Sequence, residues 1–218
     1  MQPTPASLRA AMIDSQLRPT GVNDPRILEA FMPLPREAFV PAHLRPLAYL
    51  DAALEIAPGR FLMEPMLFGN LVLRADPMPG DRVLLVGAAS GYEAAILGRL
   101  AGEVTALEVD PALAARARSA LAEVGVANVR VVEGPHAAGW AAGAPYSLLF
   151  LNGSVDEMPA TLAEQLAADG RFVGVMPDFG SMRAIIGTKA GGAIGWSGFM
   201  DISAAALPDF ERPRGFTF

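Results

Sequence analysis

The sequence has no cysteine and only two histidines, His43 and His136. Without cysteine there is no disulfide, no thiolate nucleophile and no cysteine-ligated metal. Neither histidine falls in a spacing typical of metal ligands, and no cluster of aspartates suggests a carboxylate site, so we expect no metal. Chemistry that depends on a thiolate or a metal ion is therefore disfavoured.

Long apolar runs and basic runs are also missing. No apolar run approaches the roughly 20 residues that a membrane span needs. Arg9, Asp14 and Arg18 interrupt the segment where a signal peptide would be apolar, so we expect a cytoplasmic protein without a membrane partner. The chain has 17 Lys and Arg against 23 Asp and Glu, a net charge of −6. With no basic stripe, nucleic acid is not an expected partner, whereas the oligomeric state is left open.

A chain of 218 residues with 52% hydrophobic content predicts one well-buried core. Residues 1–80 contain two short helical patterns, 7–17 and 24–32, then proline-punctuated segments and a third helical pattern over 65–75. We interpret residues 1–80 as an N-terminal cap that packs on the core formed by residues 81–218.

From residue 81 onward, predicted strands and helices alternate. A helix over 158–170 is expected to end at Gly170, and two late strands suggest an antiparallel pair. Phe210, Phe216 and Phe218 make an aromatic tail that we expect to dock on the body. The alternation predicts an α/β fold with a mostly parallel sheet covered on both faces, in which ligands bind at the carboxyl ends of the strands.

The first of these strands leads into a glycine turn, VLLVGAASGY over residues 83–92. Its outer glycines, Gly87 and Gly91, are four positions apart, whereas a dinucleotide fingerprint needs five. The spacing fits the G-x-G-x-G turn of S-adenosylmethionine enzymes better. A nucleophile elbow is disfavoured because Ser90 has Ala88 and Tyr92, not glycines, two positions to either side. A plain strand-to-helix turn remains an alternative.

Glu108 ends the second strand, 21 positions after Gly87. A carboxylate there is well placed to accept hydrogen bonds from both ribose hydroxyls of an adenosine. The alternative is an ordinary surface carboxylate in front of a helix. The apolar residues that precede Glu108 favour the ribose role.

Blocks along nearly the whole chain resemble one known family. They include SQLRPTGVNDPRILEAF, LPREAFVPAHLRPLAYLDAAL and GRFLMEP in the front section, and PGDRVLLVGAASGYEAAILGRLAGEVTALEVDPALAARAR, NVRVVEG and LAEQLAADGRFVGVMP in the core. Together they resemble the protein-L-isoaspartate (D-aspartate) O-methyltransferases. The resemblance implies a Rossmann-like class I S-adenosylmethionine-dependent methyltransferase fold, with a mostly parallel seven-stranded sheet and an N-terminal helical cap. It implies that this cap, residues 1–80, is also the substrate-side segment. It also implies S-adenosylmethionine as cofactor and, as partner, a protein or peptide with isoaspartyl residues.

The same resemblance implies two groups of site residues. Met63 and Glu64 stand in the family's active-site loop. The cofactor side comprises Gly87, Ala89, Ser90, Gly91, Glu108, Pro135 and His136.

Four positions depart from the family pattern. Met63 replaces a serine, Leu85 replaces an acid before the turn, Ala89 replaces the middle glycine, and Pro135 replaces an acid that holds the adenine amino group. Left-handed backbone at Ala89 would cost roughly 1–2 kcal/mol, and each lost charge-assisted hydrogen bond about 1.5–3 kcal/mol. A catalytically lapsed protein that acts as a binding or regulatory module is therefore the alternative to a methyltransferase.

Two of the site residues allow two interpretations each, and a third bears on the acceptor. Met63 either packs as an apolar anchor or lines a changed substrate pocket. His136 is either an exposed loop histidine or a compensating contact to adenine. Glu64 would repel an isoaspartyl carboxylate, which raises the possibility of a different acceptor.

Overall fold

The structure, a computed structural model, describes residues 3–210. Its main sheet has seven strands in the order β5-β4-β3-β6-β7-β8-β9, and a separate hairpin pairs β1 with β2. The bounds are β1 Leu54–Ala57, β2 Arg60–Leu62, β3 Arg82–Val86, β4 Glu103–Glu108, β5 Val129–Glu133, β6 Tyr146–Ser154, β7 Leu166–Asp178, β8 Ser181–Ala190 and β9 Ala193–Asp201. Strands β5, β4, β3, β6 and β7 are parallel, and β8 and β9 are antiparallel to their neighbours. The predicted mostly parallel seven-stranded sheet and the late antiparallel pair are confirmed.

The inner strands are apolar because both faces of the sheet are covered. In β3, Leu85 is fully buried and lies between Ala106 of β4 and Phe150 of β6. Neighbouring parallel strands in this register end at the same edge of the sheet. The residues that follow β3, β4 and β6 therefore meet there.

Within residues 3–210, six α-helices connect or cover the strands: α1 Pro5–Met12, α2 Pro25–Phe31, α3 Pro65–Ala75, α4 Tyr92–Leu100, α5 Pro111–Glu123 and α6 Ala160–Gln165. The expected start of α5 is confirmed, because Asp110 accepts hydrogen bonds from the backbone N–H groups of Ala112 and Leu113, with Pro111 in the first turn. In the front section, α1 continues as a π-helical turn over Ile13–Leu17, and short 3₁₀ turns follow α2.

The front section packs on the core through aromatic rings. Phe68 of α3 lies 5.6 Å from Phe150 of β6 between ring centroids, and Phe39 lies 5.4 Å from Tyr92 of α4. These rings belong to one hydrophobic cluster that also contains residues of β3 and β4. The division of the chain at residue 80 stays a prediction.

The helix predicted over 158–170 is wrong in its second half. Helix α6 ends at Gln165, and β7 begins at Leu166, which pairs with Tyr146. The side chain of Gln165 bonds to the backbone of Ala138 and Trp140, which fixes the end of the helix against the preceding loop. Tertiary pairing therefore overrides the local helical pattern.

The aromatic tail is only partly within the described residues. Phe210 docks on the body as predicted and is 8% exposed. Phe216 and Phe218 lie outside the described residues.

Candidate active site at the carboxyl edge of the sheet

The glycine turn lies at the carboxyl end of β3, where the fold predicts a ligand site. Gly87, Ala89 and Gly91 all have positive φ angles, 86°, 50° and 94°. Ala89 thus has the left-handed backbone that is costly for a residue with a Cβ, and it is only 1% exposed. Ser90 is fully buried, and its hydroxyl has no hydrogen-bond partner among the described residues.

Glu108 ends β4 beside this turn and is fully buried, so the interpretation as a surface carboxylate is wrong. Its Oε2 accepts the backbone N–H of Ala89 at 2.7 Å. Its Oε1 accepts the N–H groups of Val109 and Asp110, each at 3.0 Å. The turn and the acid therefore form one hydrogen-bonded unit.

Arg60 of β2 completes the partners of Glu108. Its Nη2 donates to Oε2 at 2.7 Å and its Nη1 donates to Oε1, in a bidentate pair whose side chains are 8% and 0% exposed. Sequence reasoning missed Arg60, because nothing local marks an arginine 48 positions before its partner. The sequence predicted Glu108 at this site but did not predict its partner, Arg60.

His136 follows β5 on the same edge and is fully buried, so the interpretation as an exposed loop histidine is wrong. Its Nε2 accepts the N–H of Val109 at 3.2 Å and lies 3.7 Å from Glu108 Oε1. Burial lowers the pKa of His136, and the nearby charge of Glu108 opposes that shift. Pro135 is exposed and precedes the 3₁₀ turn that carries His136.

A C-terminal segment, residues 204–210, lies across the turn. Ala206 bridges to Ser154 at the end of β6, and Leu207 donates its N–H to the carbonyl of Ser154 at 2.9 Å. A Cβ placed on Gly87 would lie 2.6 Å from Leu207 Cδ2, so the leucine methyl rests directly on the turn. Farther along, Asp209 accepts the N–H of His136 at 3.2 Å.

The loop with Met63 and Glu64 follows β2 and lines the same cavity as Arg60. Met63 is 5% exposed, and its carbonyl accepts Nη2 of the buried Arg36 at 2.5 Å. Met63 also lines a cavity with Arg60, Glu64, Asn152, Gly153 and Leu207, so it is both packed and a pocket residue. Burial raises the pKa of Glu64 above its ordinary value.

Two further polar side chains at this edge were missed. Glu93, at the start of α4, is fully buried; its Oε1 accepts the N–H of Met63 at 3.3 Å and its Oε2 has no partner among the described residues. Burial raises the pKa of Glu93. Asn152, near the end of β6, donates to the carbonyl of Gly87 at 2.8 Å. Asn152 had a usable signal, a polar residue at the carboxyl end of an apolar strand, whereas Glu93 looked like an ordinary first-turn helix residue.

At this edge of the sheet, the backbone suits an adenosine-containing cofactor, but the side chains as arranged here suit it less well. The two carboxylate oxygens of Glu108 accept hydrogen bonds from five N–H groups. These bonds use the acceptor sites that ribose hydroxyls would need. The adjoining cavity is about 20 Å³, room for about one water. Arg60 and Leu207 both lie against Gly87 and line this cavity.

Within residues 3–210, no three His, Asp or Glu side chains are grouped so that they could hold a metal ion. Over the same residues, no helix is long and apolar enough to cross a membrane.

Comparison with known proteins identifies the family. Residues 8–182 match the family model described as protein-L-isoaspartate(D-aspartate) O-methyltransferase. The chain belongs to this family. It is 41% identical over 168 residues to protein-L-isoaspartate O-methyltransferase 1 of Rhodopseudomonas palustris (strain HaA2), covering 77% of this chain and 69% of that relative. It is also 41% identical over 170 residues to protein-L-isoaspartate O-methyltransferase 2 of Anaeromyxobacter sp. (strain Fw109-5), covering 78% and 70%.

Two solved structures share the fold. A protein-L-isoaspartate O-methyltransferase superposes with a TM-score of 0.80 at 23% identity, over 95% of this chain and 67% of that one. A putative family member from Plasmodium falciparum, solved in complex with S-adenosyl-L-homocysteine, superposes with a TM-score of 0.76 at 17% identity, over 94% and 99%. The Rossmann-like methyltransferase fold is thereby confirmed. None of these relatives supports a lapsed binding module, and the roles of the individual site residues stay predictions.

Proposed function

We propose that the chain transfers the methyl group of S-adenosylmethionine to the free carboxylate of isoaspartyl residues in proteins, the activity that names its family. The observation that carries this proposal is the family match over residues 8–182, which includes both the glycine turn and the Met63–Glu64 loop. A net charge of −6 argues against nucleic acid as a partner. We further propose that the protein works in the cytoplasm on peptide segments of damaged proteins.

The proposed reaction needs little acid–base catalysis from the protein. S-adenosylmethionine, when bound, supplies an electrophilic methyl group. The acceptor carboxylate is ionised at neutral pH, so no general base is required. The chain must instead align the acceptor oxygen and remove water from it, and the scarcity of histidine is no obstacle.

We propose roles for the residues at the carboxyl edge of the sheet. Glu108 and the turn from Gly87 to Gly91 hold the adenosine side, with His136 beside them. Glu64 and Met63 face the acceptor; Met63 has no hydroxyl, so the contact made by the family's serine at this position is absent.

The test is transfer of a labelled methyl group to an isoaspartyl peptide, with the same peptide carrying a normal aspartate as control. We expect label on the isoaspartyl peptide only, released by mild base as expected of a methyl ester. Label on neither peptide at millimolar cofactor would contradict the proposed activity. Equal label on both would show that the acceptor is not isoaspartate.

A further inference from the structure

The acid at the proposed ribose position already has a ligand from its own chain. Arg60 neutralises Glu108 with two hydrogen bonds, and both side chains are more than nine-tenths buried. The three backbone N–H groups that also bond to Glu108 leave its oxygens no capacity for hydroxyl donors. A cofactor that uses Glu108 must therefore compete with Arg60.

The turn beside Glu108 is covered as well. Leu207 rests on Gly87 and also approaches Gly153, where an added Cβ would lie 2.9 Å from Leu207 Cγ. The segment that carries it lies outside the part of the chain matched by the family model, which ends at residue 182. Leu207 is thus a feature of this chain beyond the matched core.

We propose that this arrangement is a self-occupied state of the cofactor site, in which Arg60 and Leu207 stand where the cofactor binds and are displaced when it enters. The proposal rests on the proposed function, since it takes S-adenosylmethionine as the ligand. Apparent affinity is then the intrinsic affinity multiplied by the fraction of molecules in which the site is open. This chain therefore binds its cofactor more weakly than its glycine turn and acid would allow.

Both occupants can leave without breaking the main sheet. Arg60 lies on the β1–β2 hairpin, which is a separate two-stranded sheet. The C-terminal segment is held by hydrogen bonds to Ser154 and His136, by one isolated bridge, and by the packing of Leu207 and Phe210 on the body. The displaced guanidinium would remain beside the cavity lined by Met63 and Glu64.

Titration calorimetry with S-adenosylhomocysteine tests the proposal on four single variants and the wild type. Arg60→Ala and Leu207→Ala remove the two occupants. Arg82→Ala, at the opposite end of β3, and Leu50→Ala, 51% exposed, are the matched controls. We expect Kd to fall by about tenfold for Arg60→Ala, the size expected when one charge-assisted competitor is lost. A smaller decrease is expected for Leu207→Ala, and none for the controls.

Amide hydrogen exchange on the wild type gives a second measurement that does not depend on a variant folding. Saturating S-adenosylhomocysteine should speed exchange of the Leu207 amide, because its bond to Ser154 is broken in the open state. Unchanged exchange at Leu207 in the ligand-bound protein would contradict displacement of the segment.

The outcomes separate this proposal from the proposed function. If the occupant variants bind tighter but no isoaspartyl peptide is methylated, the self-occupied state is supported and the function fails. If the wild type methylates the peptide and the variants bind no tighter than the controls, the function is supported and the self-occupied state is overturned. If no protein binds the ligand at millimolar concentration, both fail.

Discussion

Two arginine–carboxylate pairs lie at opposite ends of the same sheet. At the carboxyl end, Arg60 pairs with Glu108, and both side chains are less than 10% exposed. At the amino end, Arg171 of β7 pairs with Asp81 just before β3, with side chains 23% and 9% exposed. The chemistry is the same, yet the two pairs have different neighbours.

The pair at the amino end, Arg171 with Asp81, contacts backbone groups that hold the fold together. Arg171 also donates to the carbonyls of Ala75 and Asp76, which ties the end of α3 to β7. Although burial opposes it, hydrogen bonds from Arg171 and Ser147 hold the pKa of Asp81 below its ordinary value. By contrast, Glu108 is bonded to the glycine turn. Position on the sheet, more than the pair itself, distinguishes a structural contact from one in a ligand site.

The largest effect is expected from Glu108→Gln. This change leaves Arg60 buried without a counter-charge, and we expect a loss of about 3 kcal/mol in the free energy of unfolding. It also removes the acid proposed for the ribose, so methylation of an isoaspartyl peptide should fall below detection. Denaturant unfolding and the labelled-methyl assay measure the two losses, and retained methylation would remove Glu108 from the cofactor site.

Arg171→Ala should lower the stability of the fold without changing the rate of methyl transfer. We expect a loss of about 2 kcal/mol, smaller because this pair is partly exposed. Since the pKa of Asp81 is lowered in the folded state, the pair's contribution is present above about pH 4 and is lost as the pH falls below that value. The difference in free energy of unfolding between wild type and variant, measured by urea denaturation, should therefore decrease as the pH falls below that value. The kcat at pH 7 should be unchanged. A tenfold drop in kcat would mean that the two ends are coupled.

Glu93→Gln should stabilise the protein. Burial raises the pKa of Glu93 in the folded state, so wild-type stability is greatest below the ordinary glutamate pKa and decreases as the pH rises above it. Glutamine keeps an acceptor for the N–H of Met63 and has no charge to bury. We expect a gain of about 1 kcal/mol at pH 8 that disappears near pH 4.5, measured as thermal melting temperature. The exposed Glu29→Gln variant, its control, should show no gain.

The smallest effect is expected from Ala89→Gly. Glycine relieves the positive φ of 50° but loses more entropy on folding, so the net gain is about 0.5 kcal/mol. The matched change Ala88→Gly, in the same turn at a residue without positive φ, should destabilise. If both variants lose stability equally in thermal melts, Ala89 is not strained.

The fold was largely predictable from the sequence because its signals are local. Strands β3 and β6 contain apolar runs, and Asp110 with Pro111 marks the start of α5. The helix over 158–170 failed because the pairing of Leu166 with Tyr146 depends on a distant segment. The burial of His136 was missed for the same reason, since Asp209 and Val109 reach it from elsewhere in the chain.

By itself the sequence determined that a glycine turn and an acid would meet at the carboxyl edge of a parallel sheet. Apolar runs fix the strands, and a parallel register brings their ends together. Only the tertiary structure decided what occupies that edge. Arg60 reaches Glu108 from a separate hairpin, and Leu207 reaches Gly87 from the C-terminal segment. Such contacts depend on how distant segments pack, and no local pattern of residues encodes that packing.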